Sequence, residues 1–461
     1  FLPNASGLTW IDEQRLVYSS IDAGSHMGIM TSSPIRTEAR SIYFPASRAG
    51  MAHRSAPSPD RGSLLVVEMD QGTWQPCRLV PVDGSSAGTP VGPQNGQCTS
   101  AAWSPDGRWM YFSSNAGGAY HIWRQRYPDG TPEQLTFGPT EQEGTAITPD
   151  GQYLITSMGL QRAAVSWHDS SGERALTDEG FAMAPSKPAS GRRLYYLMRT
   201  EGSQGQASGE LWALDLDTRG RQRLFPGLVM GNYSLSQDGR QVVFTSTGAS
   251  GGDGVWVADL ERRTPPRQLT RNREPRAFFG APGEIVVMSA DGYLRRMRDD
   301  GSAQETISPD PIVYLMTVSP DGQWAAVITR AAASGRGTAA EFRSLRGETS
   351  LAVCNEKCSL GPRSLLHSLP FNWSADGRQL FVDLGLYGGR DSRIVVLPYT
   401  SDASLGTLWP RGLTLEADVA ANPGARILES DGAIFPAADP TAYLVWRQSF
   451  QSNLHRLRLP Q

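Results

Sequence analysis

The residues with most chemical potential near the start of the chain are His26, His53, Glu68 and Asp70. Two imidazoles and two carboxylates could hold a divalent metal. Glu68 and Asp70 follow the apolar run Leu64–Val67, however, which places them at the end of a strand, in a hairpin. His121 falls inside a strand pattern, and His168, His367 and His455 are isolated, so the histidines are read as structural. Two stretches match Gly-x-Ser-x-Gly: Gly84-Ser85-Ser86-Ala87-Gly88 and Gly248-Ala249-Ser250-Gly251-Gly252. In a hydrolase that motif turns a strand into a helix and presents the serine. Neither match is followed by a helical pattern, so neither is read as a nucleophile. Asp215-Leu216-Asp217-Thr218-Arg219-Gly220 is loosely like a calcium loop, but its twelfth position is Pro226 rather than Glu. The four cysteines are Cys77, Cys98, Cys354 and Cys358. Their closeness in sequence favours the pairs Cys77–Cys98 and Cys354–Cys358 in an oxidising compartment, with free thiols or half a zinc site as the alternatives.

The elements that must position any site are announced by a recurring phrase. It is clearest in Ala101-Ala102-Trp103-Ser104-Pro105-Asp106-Gly107-Arg108, followed by the strand-like Trp109–Phe112. Proline sets φ for a type I turn, aspartate follows, and glycine supplies the positive φ from which the next strand leaves. The aspartates of the copies stand at 60, 106, 150, 238, 321 and 376. Degenerate copies near Ser186–Pro188 and Ala281–Gly283 fill the two long gaps, giving a period of about 45 residues, the size of a four-stranded propeller blade. Units also begin at Trp10-Ile11-Asp12 and near Pro436–Asp439. The expected fold is therefore all-β: one continuous run over 1–461 of about ten candidate units, with six to eight blades per ring or more than one ring. Ring closure usually joins the first and last strands, so Leu454–Leu459 is expected to pair with a strand near Phe1.

This pattern resembles the PD40 (WD40-like) repeats of TolB-type propellers. Several stretches also resemble the C-terminal propeller region of bacterial membrane-anchored serine/threonine kinases: Leu8–Asp12, His26–Ile29, Gly50–Ser55, Cys77–Pro81 and Gly138–Glu141. That resemblance implies an extracytoplasmic sensor tethered to the membrane through a segment upstream of Phe1. No kinase catalytic signature occurs in the chain itself.

Composition bounds the partners. The formal net charge is −3, so no basic surface for nucleic acid or anionic lipid is indicated. No apolar run is long enough to span a bilayer. Lysine occurs only at Lys187 and Lys357, which reads as the arginine bias of a GC-rich coding sequence.

In a propeller the first strand of each blade lines the channel, and the segment feeding it sits at the mouth. This geometry nominates His53, Arg54, Glu141, Glu143, Asn232, Arg276 and Asn372 as ligand-binding residues converging on one mixed-charge mouth. The expected ligand is a small polar molecule, a peptide or a protein, with no cofactor and no metal. The function read from the sequence is non-catalytic binding in a signalling protein. A TolB-like protein-interaction scaffold is one alternative, and a metal-dependent lactonase or lyase on the same scaffold is another.

Overall fold

The protein is described from a computed structural model covering residues 5–21, 26–35, 37–47, 50–70, 73–138, 140–178, 180–199, 208–246, 252–262, 264–272, 274–330, 338–347, 350–352, 371–383, 392–399, 422–437, 439 and 441–460. Among them every regular element is a β-strand. No helix is long and apolar enough to cross a membrane.

The repeated turn is held as its sequence suggests. Ser104 Oγ donates to Asp106 Oδ1 and accepts from the Trp109 amide, Asp106 Oδ1 also accepts from the Arg108 amide, and Gly107 sits at φ +70°. The same serine–aspartate bond recurs at Ser58, Ser236, Ser319 and Ser374, and Thr148 takes the serine's place once. The hydroxyl and the amide hold Asp60, Asp106, Asp150 and Asp238 below the usual carboxylate range. Each turn leads a first strand into a buried second strand, as from Cys98–Trp103 into Trp109–Ser114. The third strand, His121–Arg126, and the short fourth, Glu133–Gln134, complete an antiparallel sheet.

The chain divides into two compact units. Unit 1 comprises Phe1–Leu160, Glu201–Gln204 and Phe450–Gln461; unit 2 comprises Gln161–Thr200 and Gly205–Ser449. In unit 1 the first strands are Ala5–Trp10, Gly50–Pro57, Cys98–Trp103 and Glu141–Ile147, and each touches the next. Their sheets pack through buried clusters such as Leu65, Val67, Met110 and Phe112. Cys77 and Cys98 are disulfide-bonded, tying the nine-stranded sheet built from residues 5–90 to the first strand of the next sheet.

In unit 2 the first strands are Ala182–Ser186, Met230–Leu235, Arg276–Phe279, Tyr314–Val318, Phe371–Trp373 and Ala433–Pro436. They form a circuit. Tyr233 Oη donates to Ala184 O (2.6 Å), Asn232 Oδ1 accepts from the Ala277 amide (2.8 Å), and Arg276 Nε donates to Leu315 O (3.2 Å). Tyr314–Val318 then touches Phe371–Trp373, which touches Ala433–Pro436, which touches Ala182–Ser186 again. Trp446 Nε1 reinforces that last step by donating to Ala182 O (2.7 Å).

The ends of the chain behave differently from expectation. The strand near the amino terminus, Ala5–Trp10, pairs with Leu16–Ile21. The late strand is part of Tyr443–Arg458, which lies beside Tyr153–Asp169 instead. Both long strands run through both units. In unit 1 the Leu459 amide donates to Gln152 O; in unit 2 Ala433–Pro436 pairs with Tyr443–Trp446, and Ser166–Asp169 with Gly172–Ala175. In unit 1, residues far apart in sequence are thus brought together. Glu68 and Asp70 lie in the last three residues of the strand Ser63–Asp70, and Asp70 pairs with Thr73 across the hairpin that follows.

Candidate functional site

The first strands are not regular. Between first and second strands the register slips at Ala52/Arg54, Cys98/Ser100, Glu143/Ala146, Met183/Ser186, Met230/Asn232 and Leu315/Thr317. A bulge leaves one residue outside the ladder and re-aims its neighbours. His53, Thr99, Gly231 and Met316 are such residues. Nothing in the alternation of apolar and polar residues marks these positions.

The nominated residues are divided between the two units. His53, Arg54, Glu141 and Glu143 belong to unit 1, and Asn232, Arg276 and Asn372 to unit 2.

In unit 1, His53 lies 5.4 Å from the Trp74 ring, and its Nε2 is buried with no hydrogen-bond partner among the described residues. Burial holds the imidazole below its ordinary value, and the charge of Arg54 adds to this. Glu143 is raised by burial and pulled partly back by Arg54. Glu141 is buried in the same strand. Glu68 is committed elsewhere: it accepts from Tyr43 Oη (2.5 Å) and from Arg78 Nε (3.0 Å). His26 Nε2 lies 2.9 Å from Pro45 O, His121 Nδ1 is 2.6 Å from Gln142 Oε1, and His168 stacks on Tyr443. No group of three potential metal ligands occurs among the described residues. His367, Cys354 and Cys358 lie outside those residues.

Unit 2 contains the better-formed site. All the first strands of its circuit line a cavity of about 230 Å³. Asn232, Arg276 and Asn372 are on its wall, with Tyr314, Phe278 and Trp373. Asn232 is 6% exposed, and its amide oxygen is already used by the Ala277 amide. It clamps two sheets together, as Ser100 Oγ does in unit 1 by accepting from the Thr145 amide (3.0 Å). Both bonds span 45 residues, so the repeat reappears as a hydrogen bond between neighbouring sheets.

Arg276 is held differently. Nε and Nη2 donate to Leu315 O and Met316 O, and the guanidinium carbon lies 4.9 Å from the Tyr314 ring centroid and 5.2 Å from that of Phe278. No carboxylate pairs with it among the described residues. Lys187, the other cation on the wall, is lowered by burial. Sequence reasoning missed Tyr314, Phe278 and Trp373, because an aromatic residue on a first strand reads as core until the ring is closed.

The family model described as PD40, the TolB beta propeller domain, matches residues 9–229. That stretch belongs to the TolB beta propeller family. The PD40 match covers most of unit 1 and the first four-stranded sheet of unit 2, while the cavity-lining strands after residue 229 repeat the same turn beyond it. Similar solved structures include TolB from Acinetobacter baumannii, 13% identical over 66% of this chain and 76% of that one, with a TM-score of 0.38. The tricorn protease is 14% identical over 95% of this chain and 54% of its own length, at 0.27. A prolyl endopeptidase is 13% identical over 87% of this chain and 55% of its own, at 0.29. The chain thus spans about half the length of either protease, and these likenesses carry no residue-level information. No curated protein matches the chain significantly.

Proposed function

We propose that this chain is a non-catalytic binding propeller whose ligand or partner segment enters the channel of a six-bladed ring formed by unit 2. The single observation behind this reading is the cavity wall. It draws on every first strand of the circuit, is stiffened by clamps between sheets, and presents aromatic rings, amides and an arginine toward one space. A wall assembled from rigid strands is preorganised, so little ordering opposes binding. The TolB propeller family favours a protein-interaction scaffold. The buried Cys77–Cys98 bond is consistent with an oxidising, extracytoplasmic compartment. The resemblance to receptor-type kinases adds a sensor role, in which occupancy of the channel biases a signalling module reached through an upstream membrane segment.

Two experiments test this. Peptides selected by display against the folded chain should compete with one another and lose binding in Gly231→Phe. A Cβ at Gly231 meets only Thr245 Oγ1 within 4 Å, at 3.4 Å, and Gly231 lines the cavity, so a bulky residue there is expected to fill part of it while the backbone stays in place. Peptides that bind the variant equally well would place recognition elsewhere. For the sensor role, the gene upstream of Phe1 should encode a membrane helix preceded by a kinase domain. A signal peptide and start codon immediately upstream would refute it.

A further inference from the structure

We propose that the unit 2 cavity selects a carboxylate borne on an aromatic or apolar group, received by Arg276 and Trp373; this rests on the reading of that cavity as a binding site. Two independent observations lead here. The first is the charge balance of the wall. Among the described residues its charged groups are Arg276 and Lys187, and no aspartate or glutamate lines the cavity. Partly enclosing a cation costs solvation unless an anion or a set of acceptors replaces the water. Two backbone carbonyls and two ring faces hold the Arg276 guanidinium in place while leaving Nη1 uncommitted. A guanidinium fixed in this way is ready to bind a planar anion.

The second observation is Trp373. It lines the same cavity, is 8% exposed, and its buried indole Nε1–H has no acceptor among the described residues. Its counterpart Trp103, at the same place in the repeated phrase, donates to Ala56 O of the preceding first strand (3.0 Å). Trp103 belongs to unit 1; in unit 2 the indoles of Trp212 and Trp256 also lack an acceptor among the described residues, and of these three Trp373 is the one that lines the cavity, where an acceptor from outside the protein can be offered. An arginine and an indole N–H together match the two oxygens of a carboxylate. Tyr314, Phe278 and Phe279 supply the surface against which an attached ring would lie. The carboxylate could belong to a free aromatic acid or to the end of a peptide chain, and its chemistry at the wall is the same.

The test is an indole ¹⁵N–¹H spectrum of the full chain, with Trp373 assigned through Trp373→Phe. Phenylacetate is titrated beside 2-phenylethanol and phenylethylamine, its neutral and cationic counterparts. Phenylacetate should shift the Trp373 resonance saturably and bind at least about tenfold more tightly than either counterpart. Arg276→Met should abolish the preference and Arg276→Lys should keep part of it, with the other indole resonances unmoved as the control for folding. Should Arg276→Met not fold, the acid-to-alcohol ratio on the unaltered chain decides by itself. Equal binding of alcohol and acid, lost in Gly231→Phe, would overturn the carboxylate and leave the channel standing. No response to any probe would remove the channel as well. An N-acetyl-phenylalanine titration, compared with phenylacetate, separates the two sources: tighter binding of N-acetyl-phenylalanine assigns the carboxylate to a peptide terminus, and weaker binding assigns it to a free aromatic acid.

Discussion

Replacing Asn232 by alanine should destabilise unit 2 rather than simply weaken ligand binding. Asn232 was nominated as a channel-mouth residue, yet its amide oxygen accepts from the Ala277 backbone at 2.8 Å, and Ala277 is 0% exposed. Truncation leaves that buried amide without its side-chain acceptor. Leaving a buried donor unsatisfied costs about 1–3 kcal/mol. The lost packing of the side chain adds to this, so a loss of about 2–3 kcal/mol is expected. Denaturant unfolding followed by tryptophan fluorescence gives the free energy, and amide exchange at Ala277 gives the local effect. Asn232→Ser should recover part of the loss, because Ser100 Oγ accepts the corresponding Thr145 amide in unit 1 at 3.0 Å. An alanine variant within about 0.5 kcal/mol of the parent, with unchanged exchange at Ala277, would refute the clamp and return Asn232 to the ligand.

Other outcomes follow from the same geometry. Arg61 sits at φ +62° where other copies of the turn place glycine, so Arg61→Gly should stabilise by about 0.5–1 kcal/mol, and Gly107→Ala, at φ +70°, should cost about 1–2 kcal/mol; thermal melting measures both. Replacing Cys77 and Cys98 together by serine should destabilise unit 1 by about 3 kcal/mol, the loop-entropy value for the 21-residue separation, and reducing agent should have no further effect on that variant. Glu274 is buried and its carboxyl is raised by that burial, with the hydrogen bond from Thr270 pulling it partly back. The folded state therefore holds this proton more tightly than the unfolded chain, and stability falls as pH rises from the unfolded value through the folded one. Glu274→Gln should remove that slope from the pH–stability curve and leave stability at neutral pH equal or higher; a variant with the parent's slope would refute the assignment.

The sequence by itself determined what is decided within a few residues. The Ser-Pro-Asp-Gly turn needs only a fixed φ at proline, a hydroxyl, a carboxylate and a glycine, all within one hydrogen-bonded loop. That is why Ser104–Trp109 was legible before any fold was known. The buried second strands were legible for a similar reason, since runs such as Val242–Phe244 offer only one kind of environment. The site was legible in part. The rule that first strands line a channel placed Arg276 and Asn372 on the cavity wall, but it could not separate Asn232, whose side chain serves a neighbouring sheet, from residues that face the space. Only the tertiary structure decided which strands complete which sheet. Every repeat presents nearly the same edges, so local sequence does not distinguish a partner in the next unit from one almost three hundred residues away. The placing of Tyr443–Arg458 beside Tyr153–Asp169 and the bond from Leu459 to Gln152 are decided only when the sheet is assembled. The bulges at His53 and Gly231 are of the same kind, because a slipped register is a property of two strands and is written in neither alone.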